Sequence, residues 1–266
     1  MKKIVFLVIA GLMTMFTFGQ KVESRSISDF TGINASGAFE ITAVKGVAES
    51  LTIETSEELM PYVRSEVENG VLHLYLEKNA PKKQNGRTVK TTVVMKDLDK
   101  VSLSGACKIT ANDLFTPKSF NGDCSGSSDM TINISTEQLS IKTSGASKIQ
   151  MKASVTGDTK MDISGSSDIQ GELKTNNIDF SSSGACKVDL TGSATDAIID
   201  MSGSSDFNAG DFTVKTVTIR LSGSSDITVN ATDVLNVNSA GSSSVSYKGS
   251  PAITIKSSGS SKVKKI

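Results

Sequence analysis

The stretch Ser125-Gly126-Ser127-Ser128-Asp129-Met130 belongs to a six-residue phrase that returns along most of the chain. Another copy, Ser104-Gly105-Ala106-Cys107-Lys108-Ile109, precedes it, and successive phrase glycines are 18 to 21 residues apart. A repeat of about this length indicates one supersecondary unit that stacks on copies of itself. The phrase glycines are Gly105, Gly126, Gly145, Gly165, Gly184, Gly203, Gly223, Gly241 and Gly259.

Apolar residues form two columns around these glycines. The position four before the glycine is apolar in every copy except the second, where it is Gly122, and the position four after it is apolar throughout. Polar residues alternate with them at a period of two, which favours strands with one buried face over helices. The second column contains Ile109, Met130, Ile149, Ile169, Val188, Phe207, Ile227, Val245 and Val263.

The repeat length selects the fold class. A strand-helix-strand unit needs roughly 30 residues or more, so this repeat has room only for short strands joined by tight bends. We predict an all-β, right-handed parallel β-helix, a solenoid of about 19 to 20 residues per coil. Glycine at the phrase centre suits a sharp corner because it accepts positive φ, and the flanking serines can bond their own backbone.

One polar column carries alternating charge. The residue three after each glycine is cationic and anionic in turn through six coils. Stacked coils lie about 4.8 Å apart, where exposed opposite charges attract by about 0.2–1 kcal/mol per pair. The column can therefore set the register of the coils, or it can be a binding face. We call this column the charge ladder: Lys108, Asp129, Lys148, Asp168, Lys187, Asp206 and Asp226.

Asp206 and Asp226 are like charges on neighbouring coils, and such a pair can share a cation such as Ca²⁺. The surrounding sequence lacks the dense Asp and Gly loops of calcium-binding β-rolls. We therefore assign no metal site and no cofactor from the sequence.

The three cysteines are predicted to be free thiols. Cys107 and Cys186 hold the same phrase position four coils apart, which is about 19 Å at the usual strand spacing and beyond disulfide reach. Cys124 lies two before its glycine, where Leu103 stands in the preceding copy, so it is expected to face inward.

The N-terminus has the pattern of a secretory signal. Lys2 and Lys3 precede an apolar run, Ile4 to Phe16, followed by small residues. We predict a signal peptide over residues 1–19, although a retained anchor is the alternative. The run is shorter than the ~20 residues that span a bilayer, so the mature chain should have no membrane span and be periplasmic, on the outer surface or secreted.

Residues 20–97 are less regular than residues 98–266, which form the repeat array. Leu51 to Glu54 reads as a strand, and Asn69-Gly70 carries the signal of a β-hairpin. We expect residues 20–97 to form a β-layer that caps the first coil, because an open solenoid end offers unpaired strand edges.

Composition and spacing argue against two classes of function. The 266 residues have a formal net charge of zero, so the chain lacks the basic footprint of nucleic-acid binding. Carbohydrate hydrolysis needs carboxylates within roughly 5–10 Å of each other, whereas lysines separate most ladder aspartates. The sole histidine, His73, alternates with Leu72 and Leu74 as a strand-face residue does. We predict that the protein is not an enzyme.

The chain resembles the head GIN domain family, described as a "putative autotransporter adhesin" of secreted Bacteroidetes-type proteins. The likeness rests on Phe30 to Ile41, on Val67-Glu68-Asn69-Gly70-Val71-Leu72, and on the repeated Ser-Gly phrases. It implies a right-handed β-helix-like fold outside the inner membrane, and it supplies no catalytic residue to carry over.

These observations predict a non-catalytic, adhesin-like binding module that presents a repetitive Ser, Asp and Lys surface. Its partner would be a polysaccharide or another protein of the envelope or cell surface. Two alternatives stay open: a polysaccharide-active β-helix enzyme, and a structural scaffold of the envelope.

Overall fold

The computed structural model describes residues 20–81 and 88–266, and the predicted secretory signal lies outside them. In the N-terminal part the strands are β1 (Gln20–Arg25), β2 (Gly32–Gly37), β3 (Phe39–Lys45), β4 (Ser50–Ser56), β5 (Val63–Glu68), β6 (Val71–Leu76) and β7 (Val89–Met95), with a 3₁₀ turn at Met60–Tyr62. The repeat array contains β8 (Lys100–Gly105), β9 (Lys108–Phe115), β10 (Ser119–Cys124), β11 (Asp129–Thr136), β12 (Gln138–Thr143), β13 (Lys148–Val155), β14 (Asp158–Gly165), β15 (Asp168–Lys174), β16 (Asn177–Gly184), β17 (Lys187–Gly203), β18 (Asp206–Gly223), β19 (Asp226–Gly241), β20 (Ser244–Lys248), β21 (Ala252–Ser257) and β22 (Lys262–Lys265).

The array is a β-solenoid of about nine turns, as the sequence predicts. Strands of successive turns pair in parallel, β10 with β12, β12 with β14, and β14 with β16 on one side of the glycine corners. On the other side β9, β11, β13 and β15 pair in the same way. The handedness of the coil stays a prediction.

Both predicted apolar columns form the core. Ile109, Met130 and Ile149 pair in register and are fully buried. In the other apolar column, four residues before each phrase glycine, Gly122 pairs with Ile141. Neighbouring side chains occupy the space that a side chain at Gly122 would take. A Cβ at Gly122 would lie 2.8 Å from Met130 Cε and 2.9 Å from Ile141 Cδ1. The break in the apolar pattern is therefore a packing requirement.

Each phrase glycine forms the predicted corner. Gly184 has φ +122, and a Cβ there would lie 2.3 Å from the carbonyl oxygen of Gly165 in the preceding turn. The next amide, Ala185 N, donates a hydrogen bond to the same oxygen at 2.9 Å. The corner therefore needs glycine for its backbone conformation and for the close approach of the neighbouring turn.

The stack of turns extends into the N-terminal part. Strands β2 and β3 pair in parallel with β8 and β9, and Gly37 pairs with Gly105. The opposite edges of β2 and β3 pair with β6 and β7. The turn formed by β2 and β3 thus lies between two turns that follow it in the chain.

Antiparallel strands cover the N-terminal end of the stack. β4 pairs with β7, β1 pairs with β4, and β5 pairs with β6. The predicted hairpin is confirmed between β5 and β6, where Asn69 and Gly70 have φ values of 50 and 76. Arg25 Nη1 donates to the carbonyl oxygen of Val63 at 3.0 Å and so ties β1 to β5.

The last turn of the array is more exposed than the others. Ile253 and Ile255 on β21 occupy inward positions but have exposed fractions of 39% and 49%. Their partners on β19, Leu235 and Val237, are buried. In the described chain the core residues of the last turn are therefore in contact with solvent.

Candidate binding surface

The charge ladder forms one continuous column. Asp129 pairs in register with Lys108 on one side and Lys148 on the other, and Asp168 pairs with Lys148 and Lys187. The column continues through Asp206 and Asp226 to Ser244 and Lys262. The structure therefore brings together all seven residues that the sequence analysis selected.

The ladder is longer than the sequence analysis inferred. Glu40 pairs with Lys108, Lys90 pairs with Glu40, and Glu54 pairs with Lys90. Charge alternates through each of these added positions. Glu40 had a sequence signal, since it stands three after Gly37 in the early Ser36-Gly37-Ala38 phrase. Lys90 and Glu54 had none, because no phrase glycine precedes them.

Ladder side chains attract without close ion pairing. Among the described residues, no ladder Nζ lies within 4.0 Å of a ladder carboxylate oxygen. Lys187 instead approaches Asp189 of its own strand, with Nζ 3.8 Å from Oδ2. Asp168 Oδ1 is buried and has no hydrogen-bond partner in the described part of the chain. The charged groups of the ladder are thus held in register, and they form no close ion pairs with one another, so they stay available to a ligand.

Asp206 and Asp226 line a small surface groove of about 230 Å³. Asn208, Thr228 and Ser246 also line it and contribute further oxygen atoms. Within residues 20–81 and 88–266, no three His, Cys, Asp or Glu side chains form a group that could hold a metal ion.

A second column lies inside the corners, two residues after each of the first eight phrase glycines. Its serines and cysteines are buried, and their side chains donate to backbone carbonyls. Ser128 Oγ donates to Ser125 O at 2.9 Å, and Cys107 Sγ lies 3.2 Å from Ser104 O. The column contains Cys107, Ser128, Ser147, Ser167, Cys186, Ser205, Ser225 and Ser243.

All three thiols are free, as predicted, and all three are buried, whereas an inward position was predicted for Cys124 alone. Burial raises the pKa of Cys107. Burial, with smaller contributions from Asp123 and Asp129, raises the pKa of Cys124 to about 12. Because the thiolate is the reactive form, the raised pKa values leave Cys107 and Cys124 as unreactive core residues.

A groove of about 780 Å³ runs along the other side of the glycine corners. One wall is the column of side chains three before the phrase glycines, and the other is the column of residues one before them. Backbone of buried residues such as Ile163, Met201 and Leu221 lies between the walls. The first wall comprises Lys142, Asp162, Ser181, Asp200, Arg220 and Asn238, and the second Ser164, Ser183, Ser202, Ser222 and Ala240.

The charged groups of the groove balance one another. Arg220 Nη1 contacts both carboxylate oxygens of Asp200, at 3.0 and 3.1 Å. Ser181 Oγ donates to Asp162 Oδ1 at 2.8 Å. Lys142 pairs in register with Asp162. Two cations and two carboxylates therefore leave the groove with no net charge.

Two of the four serines of the second wall donate their hydroxyls to backbone carbonyls of the preceding turn, Ser164 Oγ to Thr143 O at 2.9 Å and Ser202 Oγ to Ser182 O at 3.3 Å. Ser183 and Ser222 are exposed and make no side-chain hydrogen bond to another described residue. Sequence reasoning missed this groove, although a serine before almost every phrase glycine was visible. Periodicity predicts which side chains share a face, but it does not predict that the face is concave.

His73 lies in the N-terminal cap, in the stacked column that continues the first wall of the groove, and Asn34, Ser102 and Asp123 separate it from Lys142. It pairs in register with Asn34 on β2 and with Glu66 on β5. The predicted strand-face position is confirmed.

A family model described as "Putative auto-transporter adhesin, head GIN domain" matches residues 29–159 and 151–251 of this chain. No curated protein matches it. In the described residues, no helix is both long enough and apolar enough to cross a membrane.

Solved structures share the fold. A "putative adhesin" from Parabacteroides merdae ATCC 43184 is similar with a TM-score of 0.74 at 20% identity, over 94% of this chain and 97% of that one. A "putative adhesin" from Parabacteroides distasonis ATCC 8503 has a TM-score of 0.70 at 20% identity, over 93% and 97%. A "putative lipid binding protein" from the same P. distasonis strain has a TM-score of 0.63 at 22% identity, over 94% and 98%.

Proposed function

The chain belongs to the head GIN domain family, and on that premise we propose that it is a non-catalytic binding module that acts outside the cytoplasm. The family and the structural neighbours carry adhesin names, which supports a protein that holds a ligand over an enzyme that converts a substrate. The ligand in this proposal is a repetitive polymer or surface of the cell envelope, either a polysaccharide or another envelope protein.

The observation that carries the proposal is the charge ladder. It offers one charged side chain per turn at the strand spacing of about 4.8 Å, over at least seven consecutive turns. A ligand with regularly spaced polar groups can contact many of these side chains at once. Many weak contacts on one rigid frame add up to strong retention, because each contact after the first is intramolecular.

The ladder is poorly suited to hydrolysis. Asp129, Asp168 and Asp206 alternate with lysines, so within the seven-residue ladder only Asp206 and Asp226 are carboxylates on adjacent turns, and a cation stands between every other pair. The sole histidine lies in the cap. This arrangement favours binding without turnover.

The name of one structural neighbour raises lipid binding as a second possibility. An enclosed cavity in the described core, lined by Ile178, Phe207 and Val229 among others, has a volume of about 10 Å³. Such a space holds at most about one water molecule. This cavity is too small for an acyl chain, so it does not support lipid binding by this chain.

The test is retention of polysaccharides and envelope proteins by the purified protein, with and without Ca²⁺. A variant with Asp129, Asp168, Asp206 and Asp226 all changed to Asn should retain the ligand at least tenfold less. The matched control changes four exposed aspartates outside the ladder, Asp179, Asp196, Asp211 and Asp233, to Asn. Equal loss in both variants would implicate overall charge, and equal retention would reject the ladder as the binding face.

The same samples separate the alternatives. Release of soluble product from a retained polysaccharide would contradict the non-catalytic proposal. Retention of no polymer, together with co-purification of an envelope protein in wild type and ladder variant alike, would favour a scaffold.

A further inference from the structure

We propose that the groove next to the serine column is a second binding site, one that takes a linear, neutral, polyhydroxylated chain such as an uncharged glycan. This goes beyond the function proposed for the ladder, because the groove lies on the strands of the opposite side of the corners. The groove spans six turns, from Lys142 to Asn238. At about 4.8 Å per turn that is roughly 24 Å of length, enough for several units of a polymer.

Charge selects the class of ligand. The Arg220 guanidinium is held by both oxygens of Asp200, and Asp162 is engaged by Ser181 and lies 3.8 Å from Lys160 Nζ. A polyanion would meet Asp162 and Asp200, a polycation would meet Lys142 and Arg220, and either would have to disturb these pairs. A neutral chain meets no such penalty.

The remaining groups suit hydroxyls. Each serine hydroxyl can donate one hydrogen bond and accept two, and Ser183 and Ser222 are exposed without a described side-chain partner. Asn238 adds an amide with both donors and an acceptor at one end. A polyol can satisfy these groups with its own hydroxyls.

The spacing argues against a peptide as the occupant. In an extended peptide, side chains on one face recur about every 6.6 Å, because each residue advances about 3.3 Å and successive side chains point to opposite faces. This spacing does not match a wall whose residues recur about every 4.8 Å. A chain of sugar rings whose units each advance by about the spacing between two turns places every unit beside the same wall positions. The lining has no aromatic ring to stack on, so each unit should bind weakly and affinity should rise steeply with chain length.

The experiment measures binding of the full chain to neutral linear glycans of increasing length and to acidic glycans of matched length. Ser183→Phe with Ser222→Phe would fill the groove, and aromatic residues are accepted on strand faces. The matched control is Ser104→Phe with Ser258→Phe, in the same column but outside the groove. Thermal unfolding verifies that both pairs of substitutions leave the fold intact.

We expect the groove variant to bind long neutral glycans at least tenfold more weakly, with the control unchanged. Asp200→Asn leaves Arg220 unpaired and should shift preference toward acidic glycans, a change that a purely structural role would not cause. Neutral binding that survives the groove substitutions overturns the inference. Binding of acidic polymers alone, abolished by the ladder substitutions, overturns it while sustaining the function proposed for the ladder, and binding of no glycan overturns it as well.

Discussion

Asp206 and Asp226 occupy the same ladder position on neighbouring turns and pair in register between β18 and β19. Preceding ladder neighbours place opposite charges in register, so this pair is the point of greatest repulsion in the predicted column. Asp226→Lys restores the alternation. We expect it to raise the free energy of unfolding by about 0.2–1 kcal/mol, the range for exposed cross-strand pairs. Chemical denaturation at low ionic strength measures this change.

The same substitution at Asp168 should have the opposite effect. Asp168 lies between Lys148 and Lys187, so Asp168→Lys places three ammonium groups in consecutive turns. We expect a loss of roughly 0.5–1 kcal/mol, reduced by added salt because exposed charges are screened over about 10 Å at 0.1 M. Equal effects of the two substitutions would mean that the ladder does not set the register of the turns.

The phrase glycines should be far less replaceable than a glycine in the hairpin. Gly184→Ala forces a residue with a Cβ to φ +122 and brings that Cβ against Gly165 O. We expect a loss of more than about 3 kcal/mol, since positive φ alone costs roughly 1–2 kcal/mol. Gly70 also has positive φ, but a Cβ there would meet nothing within 4 Å. Gly70→Ala should therefore cost only the free energy of placing alanine at positive φ. Thermal denaturation of the Gly184→Ala and Gly70→Ala variants compares their losses of stability.

Most of the fold was predictable because the repeat period fixes which residues share a column. Both apolar columns, the glycine corners, the inward thiol of Cys124 and the in-register ladder all follow from counting residues from each glycine. The insertion of β2 and β3 between turns that come later in the chain was not predictable. That order depends on pairing between distant strands, for which the sequence of residues 46–99 carries no periodic signal.

The groove was unpredictable for a different reason. Counting places Asp200 and Arg220 in one outward column, but their contact and the hollow beside them depend on the curvature of the sheet. Curvature arises from twist and packing of all the turns, and no single phrase encodes it. Sequence reasoning therefore identified the repetitive charged face and missed the concave one.

The thiols should be unreactive while the protein is folded. Cys107, Cys124 and Cys186 are buried, and burial raises the pKa of Cys107 and Cys124. A thiol-specific reagent at neutral pH should modify none of them in the native protein and all three after denaturation in guanidinium. Rapid modification of one thiol under native conditions would reveal local opening of its turn.

Cys124 should also make stability depend on alkaline pH. Its pKa is about 12 in the folded protein against an ordinary value of 9.0. Between these values the unfolded chain loses the thiol proton and the folded chain keeps it, so the free energy of unfolding falls as pH rises above about 9. The loss should approach 1.4 kcal/mol per pH unit at most. Cys124→Val, of similar volume, should remove this part of the pH dependence, and an unchanged slope would assign it to other groups.

Position in the stack should decide the cost of truncating a core residue. Ile219 and Ile255 both stand four before a phrase glycine, yet Ile219 is fully buried and Ile255 is 49% exposed. Ile219→Ala removes side-chain contacts on both neighbouring turns and leaves a cavity, so it should cost about 2–5 kcal/mol. Ile255→Ala truncates a half-exposed side chain that has a neighbouring strand, β19, on one side, and should cost less than about 1.5 kcal/mol. Urea denaturation of the two variants measures the difference. Equal costs would mean that the last turn is covered in solution, for example by a second molecule, and dilution of the Ile255→Ala protein would then lower its stability.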